Sequence, residues 1–212
     1  MTILYDNETR RDDLVADWGF SALLEIDGAP RILFDTGGSG AVLLGNMQRL
    51  GISPADIEAI IVSHAHFDHI GGLSAILDAN PDVRVFAPPS FRGVRRAREV
   101  VYLAGPRELW PGVWSTGELG GIEQSLVVRT GGGAAVVVGC AHPGLGAILE
   151  VASRVVRRPR AVVGGFHGFA DLDLLEGTEL ICPTHCTRKR EEILARFPDR
   201  AVPGGVGQVL DL

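Results

Sequence analysis

The amino-acid sequence predicts an α/β domain in which β-strands lead directly into α-helices. Hydrophobic residues make up 46% of the 212 residues, which is enough for a sizeable core. Short apolar runs of strand length alternate with stretches of helical spacing along the chain, a pattern typical of layered α/β domains. No Ser/Pro-rich linker, long charge block or fixed-period repeat divides the chain, so we expect a single domain over residues 1–212.

Residues 1–120 are predicted to contain a hairpin followed by alternating helices and strands. Asp27-Gly28-Ala29-Pro30 is a turn signature, and the apolar runs beside it predict paired strands. Gly51 follows a run of helical spacing and suits the left-handed conformation that ends many helices. The predicted elements are strands at Ser21–Ile26, Arg31–Phe34, Ala59–Ser63 and Arg84–Ala87, and helices at Val42–Leu50 and Leu73–Ala79. Residues 88–120 show no regular pattern.

The second half of the chain repeats this alternation. The predicted elements are strands at Ser125–Arg129, Ala134–Val138, Ala161–Val163 and Glu179–Cys182, and helices at Gly146–Val156 and Lys189–Phe197. Two sheets with helices outside both of them would use all these elements, and a single doubly wound sheet would use them equally well.

Charge and composition exclude several classes of function. The net charge of −6 argues against attraction of the whole surface to nucleic acid or to an anionic membrane. Residues 130–149 lack charged side chains but include six glycines, a proline and a histidine, so we expect a strand, a loop and a helix start there and no membrane span. The charged first residues do not resemble a signal peptide, and three cysteines are too few for a disulfide scaffold, so we expect a cytoplasmic protein.

The six histidines are the most informative residues of the sequence, because each follows a predicted buried strand. They are His64, His66, His69, His142, His167 and His185. Ligand groups of α/β proteins gather at strand ends, and imidazole and carboxylate are common metal ligands. The segment His64-Ala65-His66-Phe67-Asp68-His69 places four such groups within six residues, which predicts a turn able to serve two metal ions. Structural histidines are the alternative, but burying several imidazoles and a carboxylate without a metal is costly.

The sequence His64-Ala65-His66-Phe67-Asp68-His69-Ile70-Gly71-Gly72, preceded by Leu33-Phe34-Asp35-Thr36-Gly37, resembles the metallo-β-lactamase superfamily. Further segments are similar to the branch named after 7,8-dihydropterin-6-methyl-4-(β-D-ribofuranosyl)aminobenzene-5′-phosphate synthase. These segments are Tyr5-Asp6-Asn7, Trp18-Gly19-Phe20-Ser21, Glu123-Gln124-Ser125-Leu126, Gly139-Cys140-Ala141-His142-Pro143-Gly144, Gly164-Gly165-Phe166-His167 and His185-Cys186-Thr187. The resemblance implies an αββα sandwich with a metal site at one edge, between the two sheets.

The resemblance also implies the roles of the ligands. His64, His66 and His142 would hold one ion, whereas Asp68, His69 and His185 would hold a second. Asp35 would fix the orientation of the histidine loop through hydrogen bonds, although an Asp before Thr36-Gly37 could equally be a helix cap. One or two divalent ions are expected, with Zn²⁺ preferred and Fe²⁺ or Mn²⁺ also compatible with these ligands.

One departure from the superfamily pattern concerns the acid that usually bridges the two ions. The matching strand, Ala161–Val163, is followed by Gly164-Gly165-Phe166-His167 and carries no acid. Imidazole cannot bridge two ions as a carboxylate does, so we expect His167 to act on the substrate or to hold a weaker second ion. Asp171 and Asp173 could compensate, or could simply occupy an exposed helix start.

The cysteines and the arginines have less specific patterns. We expect Cys140, Cys182 and Cys186 to be small buried side chains beside the ligand loops, with Cys186 as a minor candidate ligand. Four arginines lie within seven residues, at Arg92, Arg95, Arg96 and Arg98. They form either a solvated helix face or, as we expect for Arg92, Arg95 and Arg96, an anion-binding wall of a cap or rim formed by residues 88–120.

The sequence therefore predicts a metal-dependent hydrolase. Asp68 would orient or deprotonate a water activated by the ion, His167 would assist, and the substrate would be a small ester, phosphoester or lactone-like molecule. The second hypothesis is a transferase of the branch's name, which would condense a pterin diphosphate with an aminobenzene ribofuranosyl phosphate. A third is a non-catalytic sensor of a metal or ligand.

Overall fold

The computed structural model describes residues 1–212, whose first half forms a six-stranded sheet in sequence order. Its strands are β1 (Thr2–Tyr5), β2 (Ser21–Leu24), β3 (Ile32–Phe34), β4 (Ala59–Ile61), β5 (Arg84–Ala87) and β6 (Glu99–Tyr102). Strands β1 to β3 pair antiparallel, and β3 to β6 pair parallel. The helices of this half are α1 (Gly40–Arg49), α2 (Phe67–Ile70) and α3 (Leu73–Ala79).

The second half forms another six-stranded sheet, in the order β12-β11-β10-β9-β8-β7. Its strands are β7 (Arg107–Trp110), β8 (Val113–Ser115), β9 (Leu126–Thr130), β10 (Gly133–Val138), β11 (Ala161–Gly165) and β12 (Leu180–Thr184). Strands β7 to β10 pair antiparallel, and β10 to β12 pair parallel. The helices of this half are α4 (Leu145–Ala152) and α5 (Arg190–Arg196).

Side-chain alternation along the strands produces four layers. In β3, Phe34 faces a core shared with Val137 of the second sheet, whereas its neighbour Leu33 faces α1, where it packs with Met47. On the second sheet, Val136 packs outward in a cluster with Ile148 of α4. Because successive strand residues point to opposite faces, each sheet buries one face against the other sheet and one against helices. The expected αββα sandwich is confirmed, and a doubly wound sheet is excluded.

Residues 88–120 are more regular than the sequence predicted. They contain β6, at the edge of the first sheet, and β7, at the edge of the second, with β8 paired beside it. The expectation of irregular structure is therefore wrong for these three strands, whereas the expectation that residues 88–120 form a cap or rim stays a prediction. The exposed and half-buried residues of β6 and β7 do not alternate cleanly between apolar and polar, which explains why the pattern was missed.

The parallel strands place all the candidate ligands at one edge of the sandwich. Asp35 follows β3, the histidine segment follows β4, Cys140 and His142 follow β10, and His185 follows β12 directly. Since the carboxyl ends of parallel strands lie on the same side of a sheet, these loops meet where the two sheets face each other. The uncharged residues 130–149 form β10 and the start of α4, and none of the helices is long and apolar enough to cross a membrane.

Candidate metal centre

Three histidines form a first group of donors at this edge. The Nε2 atoms of His64 and His142 lie 3.2 Å apart. The ring of His66 lies 4.6 Å from the ring of His64 and 4.6 Å from that of His142, centroid to centroid. Two donors bound tetrahedrally to one ion at about 2.0–2.1 Å stand roughly 3.3 Å apart. The separation of His64 and His142 therefore matches that of two ligands of one ion.

A second group of donors lies beside the first. Nε2 of His185 lies 3.1 Å from Oδ2 of Asp68, and Nε2 of His69 lies 3.9 Å from the same oxygen. The ring centroids of His64 and His69 are 4.2 Å apart, so the two groups are in direct contact. The structure thus brings together six residues named from the sequence: His64, His66, Asp68, His69, His142 and His185.

Asp35 determines which nitrogen of two imidazoles carries a hydrogen. It is fully buried and accepts hydrogen bonds from the Ser63 amide and hydroxyl, both at 2.6 Å. Nδ1 of His69 lies 2.7 Å from Oδ2 of Asp35, so this nitrogen is the donor and Nε2 keeps its lone pair. The Ser63 hydroxyl hydrogen is used on Asp35, so its oxygen accepts from Nδ1 of His64 at 2.9 Å. Both Nε2 lone pairs therefore face the centre.

His185 is held in the same way by the N-terminal strand. Its Nδ1 donates to Oδ1 of Asn7 at 3.0 Å, and the Asn7 side-chain amide donates to the His185 carbonyl at 3.0 Å. Asp6 accepts from the backbone N–H of His185 at 3.0 Å, and burial raises the pKa of Asp6 to about 6. The buried Nε2 atom of His185 makes no hydrogen bond of good geometry, although Oδ2 of Asp68 lies 3.1 Å away, as expected for two ligand atoms that would share one metal ion.

Glu123 holds the loop that carries Cys140 and His142. Its Oε1 accepts from the amides of Cys140 and Ala141 at 2.9 and 3.0 Å, and its Oε2 accepts from the amide of His142 at 2.8 Å. Burial raises the pKa of Glu123, and these three donors oppose the rise. The roles of Glu123, Ser63 and Asn7 were not predicted from the sequence, although Glu123 and Asn7 lie in segments that carry the family resemblance.

Cys140 lies between the two groups of donors. Its Sγ is 3.2 Å from Nε2 of His69. Donor atoms of Cys140, His64 and His142 lie within 4.8 Å of one another, and the same holds for Cys140, His69 and His185. The expectation of a small buried thiol describes its burial correctly but omits this position. The other two cysteines are Cys182, buried in the core between the sheets as expected, and Cys186, which contacts the Cys140 carbonyl and is half-buried where a buried side chain was expected.

The chemistry of this donor set fits a divalent transition-metal ion. Burial and neighbouring imidazoles lower the pKa of His64 well below its ordinary value, and they lower that of His69 to about 3 and that of His142 to about 4. These rings are therefore neutral at pH 7, the form that binds metals. Burial raises the pKa of Asp68, but its contact with His185 and the field of His69 lower it more, so Asp68 is ionised.

His167 lines a cavity that opens next to the donors. Its ring lies 5.1 Å from that of His142, and both rings line a cavity of about 490 Å³ with Leu145, Phe166 and Phe169. A second cavity, of about 410 Å³, lies between residues 24–27, residues 128–131 and the chain ends, and no histidine or cysteine lines it. The exposed ring of Trp18 packs against His185 at 4.9 Å. It was not foreseen as a site residue.

Two of the four clustered arginines form ion pairs with acidic side chains. Arg96 pairs with Asp78 at the end of α3, and Arg98 pairs with Asp82 at 3.2 Å. The backbone N–H of Arg98 bonds to Val83, just before the first residue of β5, so this part of the segment lies at the opposite end of the strand from the donors. Arg92 stacks on Tyr102, and Arg95 is exposed. Arg96 is therefore engaged with Asp78, whereas the role of Arg92 and Arg95 in an anion-binding wall stays a prediction.

Comparison with known proteins agrees with this architecture. Residues 19–185 match the family model of the metallo-β-lactamase superfamily. The chain is 29% identical over 241 aligned residues to 7,8-dihydropterin-6-methyl-4-(β-D-ribofuranosyl)-aminobenzene-5′-phosphate synthase of Methanocaldococcus jannaschii, covering 82% of each chain. It is 33% identical over 126 residues to the human metallo-β-lactamase domain-containing protein 1, covering 57% of this chain and 46% of that protein.

Solved structures show the same fold over the whole chain. Tm1679, described as a metal-dependent hydrolase of the β-lactamase superfamily, superposes with a TM-score of 0.80 and 26% identity, covering 100% of this chain and 98% of its own. YhfI from Bacillus subtilis superposes with a TM-score of 0.71 at 12% identity, covering 99% and 97%, and shows the fold alone. On the family match and this architecture, the chain belongs to the metallo-β-lactamase superfamily.

Proposed function

We propose that this protein is a metal-dependent hydrolase of a small ester, phosphoester or lactone-like molecule. The observation that carries the proposal is the set of inward-facing lone pairs on buried imidazoles, next to a cavity of about 490 Å³. Cavities of roughly 300–1,000 Å³ are typical of small-molecule sites. A structural metal site would be closed, whereas His142 lies both among the donors and in the cavity wall.

In this proposal, His64, His66 and His142 would hold one divalent ion, and Asp68, His69 and His185 would hold the second. Zn²⁺ is the first choice, and Fe²⁺ and Mn²⁺ suit the same nitrogen and oxygen ligands. When bound, such an ion lowers the pKa of a water molecule and polarises the oxygen of an ester or phosphoester. The sequence motif alone identifies most of this set, and the donor separations support it.

The protein's own residues supply orientation and proton transfer. Asp68 is ionised and its side chain is 14% exposed beside His185, so its carboxylate can accept a hydrogen bond from a water that lies among the donors. His167 stands in the cavity wall without being locked among the donors. It is therefore placed to give a proton to the leaving oxygen of the substrate. Phe166, Phe169 and Leu145 supply an apolar wall for the rest of the molecule.

A substrate panel on metal-loaded protein tests this proposal. Carboxylic esters, lactones, phosphomonoesters and phosphodiesters should be compared for the native chain, for chelator-treated protein, and for His64→Ala. We expect the native chain to turn over at least one class of substrate and to lose this turnover when the metal is removed. Adding metal back should restore turnover in the native chain but not produce it in His64→Ala. Turnover that is equal in the chelator-treated protein would contradict the proposal.

A second candidate function is the transferase reaction of the M. jannaschii relative. It is favoured by the alignment, which covers 82% of both chains. Arg96 is paired with Asp78 and Arg98 with Asp82, so two of the four clustered arginines are engaged with other side chains of this chain, which favours the hydrolase. Release of diphosphate from a pterin diphosphate by metal-loaded protein, with no hydrolysis of the ester panel, would reverse this order. Metal binding without turnover of any kind would favour a sensor.

A further inference from the structure

We propose that Cys140 is a thiolate ligand shared by the two ion positions, in the place where a bridging carboxylate would otherwise stand. This inference rests on the proposed metal centre and adds a ligand to it. It accounts for a second ion in a chain whose strand β11 ends without an acid.

The position of the sulfur atom is the first argument. Sγ of Cys140 lies 3.2 Å from Nε2 of His69, and it forms a compact triad with the donors of each group. A sulfur and a nitrogen bound tetrahedrally to one zinc, at about 2.3 and 2.0 Å, stand roughly 3.5 Å apart. Among the three cysteines, Cys140 alone has its sulfur within ligand distance of both groups. A thiolate sulfur carries several lone pairs and can bind two ions, which an imidazole nitrogen cannot.

The second argument is that the end of β11 has no room for a carboxylate. A Cβ atom added at Gly165 would come within 2.5 Å of the Gly139 carbonyl oxygen and 3.3 Å of the Cys140 Cα. One added at Gly164 would lie 2.0 Å from the Val138 carbonyl oxygen. Backbone atoms cannot yield to such contacts. The same added Cβ at Gly165 would lie 2.7 Å from Sγ of Cys186. The backbone of the loop that carries Cys140 therefore packs directly on this strand and, with the Cys186 sulfur, closes the position of the usual acid.

The third argument is that the loop presents the sulfur rigidly. The amides of Cys140 and its two successors all donate to the buried carboxylate of Glu123, and Ala141 adopts a left-handed φ of 56°. His64, His69 and His185 direct lone pairs at the centre, so the thiol is the one group among these four that brings a hydrogen there. On binding, the S–H bond breaks, the sulfur keeps the electron pair for the ion, and the proton passes to solvent.

The other two cysteines provide matched controls. Cys182 is buried in the core between the sheets and is not among the donor triads. Cys186 directs its sulfur to the Cys140 carbonyl at 3.7 Å, which makes it a neighbour of the centre. Cys182→Ala therefore removes a buried thiol that belongs to neither donor triad, and Cys186→Ala removes one beside the donors.

X-ray absorption at the zinc edge of the intact, zinc-loaded chain tests the inference without any substitution. We expect sulfur scattering at about 2.3 Å in addition to nitrogen and oxygen at about 2.0 Å. Cys140→Ala should lose the sulfur signal, whereas Cys182→Ala and Cys186→Ala should keep it. Chelator competition should show at least about a 100-fold loss of affinity for one of the two ions in Cys140→Ala, more than the loss of an orienting residue usually causes.

The possible results separate the inference from the proposed function. Zinc bound through nitrogen and oxygen alone in the native chain would overturn the thiolate and leave the metal centre intact. A sulfur signal lost in Cys186→Ala and kept in Cys140→Ala would also overturn it. A native chain that binds no zinc would overturn both. If Cys140→Ala fails to fold, the sulfur signal of the native chain and its retention in Cys182→Ala and Cys186→Ala still test whether Cys140 is the ligand.

Discussion

Nδ1 of His69 lies 2.7 Å from Oδ2 of Asp35, and both side chains are fully buried. This contact links strand β3 to the histidine segment after β4. It fixes the hydrogen of His69 on Nδ1, and through the Ser63 hydroxyl it fixes that of His64 as well. The fully buried carboxylate of Asp35 thus determines the direction of the Nε2 lone pairs of two proposed ligands, His64 and His69.

Replacing Asp35 should therefore weaken metal binding. In Asp35→Asn, a carboxylate oxygen that accepts from Ser63 and His69 becomes an amide donor or a weaker acceptor. We expect metal affinity to fall about 10- to 100-fold and the free energy of unfolding to fall by about 1–3 kcal/mol. Chelator competition and urea denaturation measure the two effects. The exposed Asp13→Asn is the control, and equal affinity in both variants would contradict the orienting role.

Removing the Glu123 carboxylate, which accepts three backbone hydrogen bonds, should destabilise the loop of Cys140 and His142. Glu123→Ala leaves three buried backbone amides without their acceptor, and we expect unfolding to become easier by several kcal/mol, at about 1–3 kcal/mol for each orphaned donor. Urea denaturation of the metal-free protein measures this. Glu150→Ala, on the exposed face of α4, should change stability by less than about 0.5 kcal/mol. A similarly small change in Glu123→Ala would show that these three hydrogen bonds contribute little to stability.

The depressed pKa of His142 should make the metal-free protein lose stability in acid. Its pKa falls from 6.5 to about 4 because burial and neighbouring imidazoles disfavour the charged ring. Between these values the unfolded chain binds a proton that the folded chain does not, so stability rises with pH through this window, by up to about 1.4 kcal/mol per pH unit.

The raised pKa of Asp6 makes stability fall with rising pH, opposite to the effect of His142. The test therefore compares the pH dependence of the native chain with that of a variant that lacks His142. Denaturation between pH 4 and 6.5 should give a less positive slope for His142→Gln than for the native chain. Identical slopes would mean that His142 titrates alike in the folded and unfolded states.

A comparison of Arg96→Ala with His167→Ala tests whether the arginines or the cavity wall contact the substrate. Arg96 pairs with Asp78 away from the cavity, so Arg96→Ala should leave kcat/KM within about twofold for every substrate that the protein turns over. His167→Ala, in the cavity wall, should lower kcat/KM by about 100-fold or more with metal content unchanged. A large effect of Arg96→Ala confined to phosphorylated substrates would indicate that Arg96 binds phosphate, and would favour the transferase.

Local patterns in the sequence predicted most of the strands and helices and the histidine motif, whereas the arrangement in two sheets and the two ligand groups came from the family resemblance. Strand β4 and the segment from His64 to His69 carry their signals within a dozen residues. Strands β6 and β7 are edge strands with exposed residues, so no apolar alternation marked them. The role of Cys140 depends on packing between β10 and β11, and the pairing of Arg96 depends on α3. Such contacts between distant segments leave no spacing to recognise.

Anomalous diffraction from crystals of the zinc-loaded chain tests the central claim most directly. Data collected on both sides of the zinc absorption edge locate the bound ions independently of any substrate. We expect one peak between His64, His66 and His142 and a second between Asp68, His69 and His185. Zinc peaks confined to the protein surface, or none at all after loading with Zn²⁺, would contradict the assignment of this edge of the sandwich as a metal centre.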